Sequence, residues 1–243
     1  MFLDALGQTP LKIIPIKTDK KNGEAMELEM LNASVVVLSE GNNPKLLNHD
    51  FLARNKIVPE DWNVQDIVIT PPFSNIVYKN GVQFIVELNK LQILAGKPEQ
   101  IDCDRDLPKI VTDYLKVLPH VSYLGVGVNF VFVLKNIDHD YIQSSLLING
   151  PWLHQEGDVS RTAIEFNYLN VHPKFNLKIE PLIKEGLDQG KLSSDIKFSV
   201  NFHQDFNPDQ EDQRVKYILK MEKLKIRFME YVGHLPFVCE EGK

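Results

Sequence analysis

Between Val64 and Leu94, strand-like runs follow one another with almost nothing between them. Pro71-Pro72 separates Val64–Thr70 from Asn75–Tyr78, and Asn80-Gly81 stands before Val82–Leu94. Asn-Gly is the preferred dipeptide of two-residue hairpin turns, because both residues accept positive φ at low cost. Strands joined this tightly cannot be parallel, since a parallel pair needs a crossover of about a dozen residues or more. The chain is therefore committed to antiparallel sheet, and the last run has room to bend near Asn89.

The same period of two recurs elsewhere. Leu11–Ile16 is a short β-like run, and Asn22-Gly23 marks a turn within Thr18–Glu24. Met26, Leu28 and Met30 then alternate with Glu27 and Glu29, as on a half-buried strand. Ala33–Leu38 continues as a buried, β-branched run. Asn43-Pro44 opens a short helix reaching Asn55. Asp106 is placed to cap a second helix, with Leu107, Ile110, Val111, Tyr114 and Leu118 on one face.

The second half repeats this order. Val121–Leu134 reads as a long strand, and Asp138 caps a short helix to Ile148. Thr162–Leu169, Phe175–Leu182 and Ile196–Phe202 read as strands, and a long helix runs from Asp209 to Val232. The expected fold class is α+β: antiparallel sheet with helices packed on one face, and a pseudo-duplicated β-α-β-β-β-α unit. The halves are 1–119 and 120–243, either as two units or as one continuous domain.

Composition narrows the chemistry. The 27 Lys+Arg and 33 Asp+Glu give a net charge of −6 over 243 residues. This acidic balance argues against nucleic acid as the general partner. Cys103 and Cys239 are the only cysteines, with no Cys/His cluster near either, so no structural zinc site is expected. The opening Met1–Gly7 lacks the basic and apolar regions of a secretory signal. The longest apolar stretch, Tyr123–Leu134, is broken by Gly125, Gly127 and Asn129, well short of the roughly 18 residues that span a bilayer. These features predict a cytoplasmic protein without a membrane partner.

Asp102, Asp104 and Asp106 alternate, so on an extended chain their carboxylates would face one way and suit a divalent cation. The competing reading is a solvated turn before a helix, and no metal is assigned. Histidine–aspartate neighbours occur at His49-Asp50, His139-Asp140 and His203-Gln204-Asp205, none at a recognised catalytic spacing. Asp102, Asp104, His139 and His203 are the catalytic candidates, for a metal-dependent hydrolase or nuclease. Gly125-Val126-Gly127 lies inside a strand pattern and lacks a third glycine, so it reads as room for a close approach and not as a dinucleotide site. No cofactor is expected.

The C-terminal helix carries two apolar stripes. Tyr217, Met221, Leu224, Phe228 and Tyr231 form one, taken as the candidate oligomer interface. Val215, Leu219, Ile226 and Met229 form the other. Lys216, Lys220, Lys223 and Arg227 make a basic seam between them, a candidate anion contact. An ordinary surface helix has one apolar stripe. Two imply cover on two sides, one by the chain's own sheet and the other by a second element of the chain or by a partner subunit.

Val77-Tyr78-Lys79-Asn80-Gly81-Val82 with the strand after it, the run Leu118 to Phe130, and Asn201-Phe202-His203 resemble a sporadically distributed, uncharacterised bacterial protein family of about this length. The resemblance covers the hairpin, the middle strand and the last strand, and implies a prokaryotic cytoplasmic origin. That family has no established activity, so it implies no site residue. The expected function is non-catalytic binding and assembly as a homo-oligomer through the C-terminal helix. Metal-dependent hydrolysis by the Asp/His set and nucleic-acid binding through the basic seam are the alternatives.

Overall fold

The computed structural model describes residues 14–15, 27–138, 163–169, 171–183 and 193–233. The first half contributes β1 (Ile14–Pro15), β2 (Glu27–Glu40), α1 (His49–Arg54), β3 (Val64–Ile69), β4 (Phe73–Tyr78), β5 (Val82–Glu87), β6 (Lys90–Ala95) and α2 (Asp106–Val117). The second contributes β7 (Ser122–Asp138), β8 (Ile164–Tyr168), β9 (Lys174–Ile183), β10 (Ser193–Asp205), α3 (Glu211–Ile218) and α4 (Met221–Gly233). Every strand pairing is antiparallel. The order across the sheet is β3-β4-β5-β6-β2-β7-β10-β9-β8, and β1 pairs with the start of β2 beyond the end of β6. The fold is α+β, with sheet predominating.

The halves meet along the long β2–β7 ladder, from Glu27 opposite Lys135 to Glu40 opposite Ser122. A boundary at 119/120 therefore separates two stretches of chain that share one continuous sheet. On either side of this central pair, the last strand before the helices returns beside the first, β6 beside β2 and β10 beside β7.

One face of the sheet is apolar and covered. Val35, Val37, Phe84, Leu91, Ile93, Val128, Phe130, Phe198 and Phe202 are all buried there. The helices lie on it: Tyr114 of α2 against Phe84, and Phe228 of α4 against Phe132 and Phe198. Strand side chains alternate between faces, so this one-sided cover follows from the period of two.

Four local expectations need correction. Val82–Leu94 bends near Asn89 as expected, into β5 and β6, but the Asn80-Gly81 loop before it holds three residues, 79–81, and not two. The helix expected from Asn43 to Asn55 is a 3-10 turn over Pro44–Leu46 followed by α1, because Asn48 supplies a second cap through its side chain to the Phe51 N–H. Asp106 is the first residue of α2 and not its cap; Arg105 holds the cap position without a side-chain bond. The C-terminal helix breaks at Leu219-Lys220, where no Gly or Pro occurs. The helix expected after Asp138 lies outside the described residues.

Candidate functional site

The face of the sheet opposite the helices mixes apolar residues such as Val36 and Leu38 with a polar set centred on β10. On β10, Lys197, Ser199, Asn201 and His203 alternate with the buried Ile196, Phe198, Val200 and Phe202. Register then aligns these polar residues across five adjacent strands. Ser34 of β2 stands opposite Asn129 of β7, Asn129 opposite Asn201 of β10, Asn201 opposite Asn176 of β9, and Asn176 opposite Asn167 of β8. Asn201 donates to the Asn129 side-chain carbonyl at 2.7 Å, and Asn129 donates to the Ser34 hydroxyl at 3.4 Å. Asn176 donates to Asn167 and, at 2.7 Å, to Glu165. Each amide holds two donors and an acceptor, so the row has more bonding capacity than it uses internally. It suits a flat, neutral, hydrogen-bonding surface.

Gly125 and Gly127 explain how the row closes. A Cβ at Gly127 would lie 2.8 Å from Asn201 Nδ2, and one at Gly125 would lie 3.2 Å from His203 Cε1. The glycines leave room for side chains of β10 to fold across β7, the close approach their place in a strand implied. Gly127→Ala should displace the Asn201 amide and break its bond to Asn129, at a cost of about 1 kcal/mol. Denaturant unfolding and the Asn201 side-chain amide resonance check this; an unmoved resonance would refute it.

The catalytic candidates are dispersed. His203 Nε2 lies 2.8 Å from Asp205 Oδ1, and Lys174 donates to Asp205 Oδ2 at 2.7 Å. The Lys174 bond first, and the His203 bond second, hold the Asp205 carboxyl below its ordinary range. All three lie on the open face. Asp102 and Asp104 lie on the helix side of the sheet. Asp102 accepts from the backbone N–H of Asp104 at 3.0 Å and of Arg105 at 3.2 Å, closing its own turn. Asp104 pairs with Lys225 of α4, and Asp106 pairs with Arg105. The three carboxylates thus serve three different partners, and the sheet stands between them and His203. Among the described residues, no group of three His, Cys, Asp or Glu is placed to hold a metal ion. His139 lies outside the described residues.

Cys103 is buried, and burial chiefly, with Asp104 beside it, pushes its thiol up to about 12. At neutral pH it is a protonated thiol, the unreactive form. His49 is committed to the Tyr78 hydroxyl, 3.1 Å away.

The C-terminal helices place their stripes unequally. Tyr217, Met221, Leu224 and Phe228 are buried against the sheet, and the Tyr231 hydroxyl lies 2.7 Å from that of Tyr168 on β8. The four buried residues serve the interior of one subunit, so the interface expectation does not hold for them; Tyr231 is half-buried. The outward stripe is the other one. Leu219 is 56% exposed and Ile226 45% exposed, with Val215 and Met229 half-buried. Lys216, Lys220, Lys223 and Arg227 are all exposed, and the Arg227 guanidinium lies 5.8 Å from the Phe202 ring centroid.

Two buried cations escaped the sequence reading. Arg214 donates to the Tyr123 carbonyl at 2.6 Å and lies over the Tyr123 ring, tying α3 to the start of β7. Burial lowers its pKa from the ordinary value. Lys225 is the second, and its four-residue spacing from Met221 was the only signal that it shares the inward face. The sequence reading also missed a shallow cleft where Trp62, Asn80, Lys109 and Ile110 converge, with Lys56 at φ 56° on its wall.

No protein-family model matches the chain, and no curated protein matches it.

Proposed function

We propose that this chain is a non-catalytic binding protein that works as a homo-oligomer. The observation that supports this is the apolar surface left over after the core is complete. Leu219 and Ile226 project from α3–α4, although that helix pair has already buried a full stripe against the sheet. A helix that served its own subunit alone needs one apolar stripe. The outward stripe gives a protein partner an apolar strip flanked by the cations Lys216, Lys220, Lys223 and Arg227, and the exposed Ile67, Val68 and Ile69 of β3 give a second copy another. Successive strands step inward toward β2–β7 on either side, four on one side and three on the other, which supports a pseudo-duplicated origin for the two halves.

Binding is favoured over metal-assisted hydrolysis because, among the described residues, Asp104 pairs with Lys225 and lies across the sheet from His203. Absolute mass by light scattering tests the assembly. The reading expects a mass of at least twice 27.9 kDa. A mass of one chain at every concentration would overturn it.

A further inference from the structure

We propose that β3 is the contact between copies, pairing antiparallel with β3 of a second copy about a two-fold axis through Val68. This rests on the homo-oligomer reading and assigns its interface. It leaves the outward stripe of α3–α4 for other partners.

Among the described residues, β3 is an edge strand, bonded to β4 alone. Its Ile67, Val68 and Ile69 are 44%, 41% and 45% exposed. Native edges are usually guarded by lysine, proline or an inward charge. Val64–Ile69 holds no lysine or proline; its guards are a register shift between Val64 and Asp66, and Asp66 itself. Pro71 and Pro72 come only after the strand has ended.

The direction of the backbone groups fixes the register. The Thr70 N–H donates to the Phe73 carbonyl at 2.9 Å, toward β4. Alternation along the strand then turns Val68 toward β4, and turns the N–H and C=O of Ile67 and Ile69 outward. In agreement, the Ile67 N–H is met by the Asp66 carboxylate, at 2.9 Å. A two-fold axis at Val68 sets Ile67 of each copy opposite Ile69 of the other. Residues so paired exchange both backbone bonds, so the outward groups of both copies are satisfied together. The main-chain acceptor replaces Asp66 at the Ile67 N–H.

Side chains agree with this register. Ile67 and Ile69 share the helix-covered face, opposite Ile76 and Ser74 of β4. The isoleucines of two copies therefore meet as a cluster that extends the core, while the two Val68 side chains meet on the other face. Asp66 comes opposite Thr70, which keeps the two Asp66 charges four residues apart, roughly 13 Å along the strand. That exceeds the screening length of about 8 Å at physiological salt. The other sheet edge is a poorer partner. β8 would set Glu165 and Asn167 near the isoleucines, and a β3–β8 contact is head-to-tail and need not close.

The test uses the full chain, with light scattering over a concentration series. Wild type is expected at twice 27.9 kDa. Val68→Lys, which sets two ammonium groups face to face, should weaken the dimer by at least about tenfold. Ile67→Pro removes an outward N–H without touching the β4 ladder, and should do the same. Ile226→Glu should leave the dimer intact. Hydrogen exchange gives a readout in wild type alone: the Ile67 and Ile69 amides should lose protection on dilution, while Val68 keeps it. A wild type of one-chain mass overturns both the assembly reading and this contact. A dimer that survives Val68→Lys with fast-exchanging Ile67 and Ile69 amides, and that Ile226→Glu splits, keeps the assembly and overturns the β3 contact.

Discussion

Phe228→Ala should destabilise the fold by about 4 kcal/mol, the range for a buried Phe replaced by Ala. The ring is fully buried and stacks on Phe132 at 5.0 Å, with Phe198 at 6.0 Å on its edge. Truncation opens a cavity between α4 and the β7–β10 pair, where both neighbours are strand residues that cannot easily move in to fill it. Ile226→Ala, two residues away on the outward side, should change stability by no more than about 0.5 kcal/mol. Chemical denaturation of the two variants is a direct reading of which way α4 faces. Similar losses from both would mean that the outward stripe is also covered.

The second large effect lies at the Asp104–Lys225 pair. Both side chains are almost out of solvent, 12% and 7% exposed, and join the loop before α2 to α4. Removing one partner from a buried ion pair leaves the other charge uncompensated, so Asp104→Ala should cost about 3 kcal/mol. Replacing both at once, as Asp104→Leu with Lys225→Met, should recover most of that loss, because no charge then remains buried. A double variant no better than Asp104→Ala would mean that the loss comes from the loop and not from the charge. The same substitution distinguishes roles: a carboxylate kept for metal chemistry could be removed without such a penalty.

Much of the fold was legible because it rests on local chemistry. Asn80-Gly81 does reverse the chain between β4 and β5, but in a three-residue loop, 79–81, with Gly81 and not Asn80 at positive φ, +83°. The stripe Leu107, Ile110, Val111, Tyr114 predicted α2 and its buried face. The break at Leu219-Lys220 was not legible, since neither residue ends a helix by itself. It lies where the chain passes from Arg214, anchored on Tyr123, to Phe228, stacked on Phe132. Those anchors are far apart in sequence from the residues they hold.

The polar row on the open face shows the same division more sharply. Ser34, Asn129, Asn167, Asn176 and Asn201 each read as an ordinary polar residue on a strand, and nothing local relates them. What the sequence determined by itself was the period of two, the turn chemistry and hence an antiparallel sheet with one apolar face, because these depend on residues within a few positions of one another. Only the tertiary structure decided the strand order and register that align five side chains into one row. It also decided which helix stripe faces inward, and that Asp104 answers the charge of Lys225. Each of these is set by packing between segments up to 121 residues apart, where the energy of burial and of charge compensation depends on what stands opposite and not on what comes next in the chain.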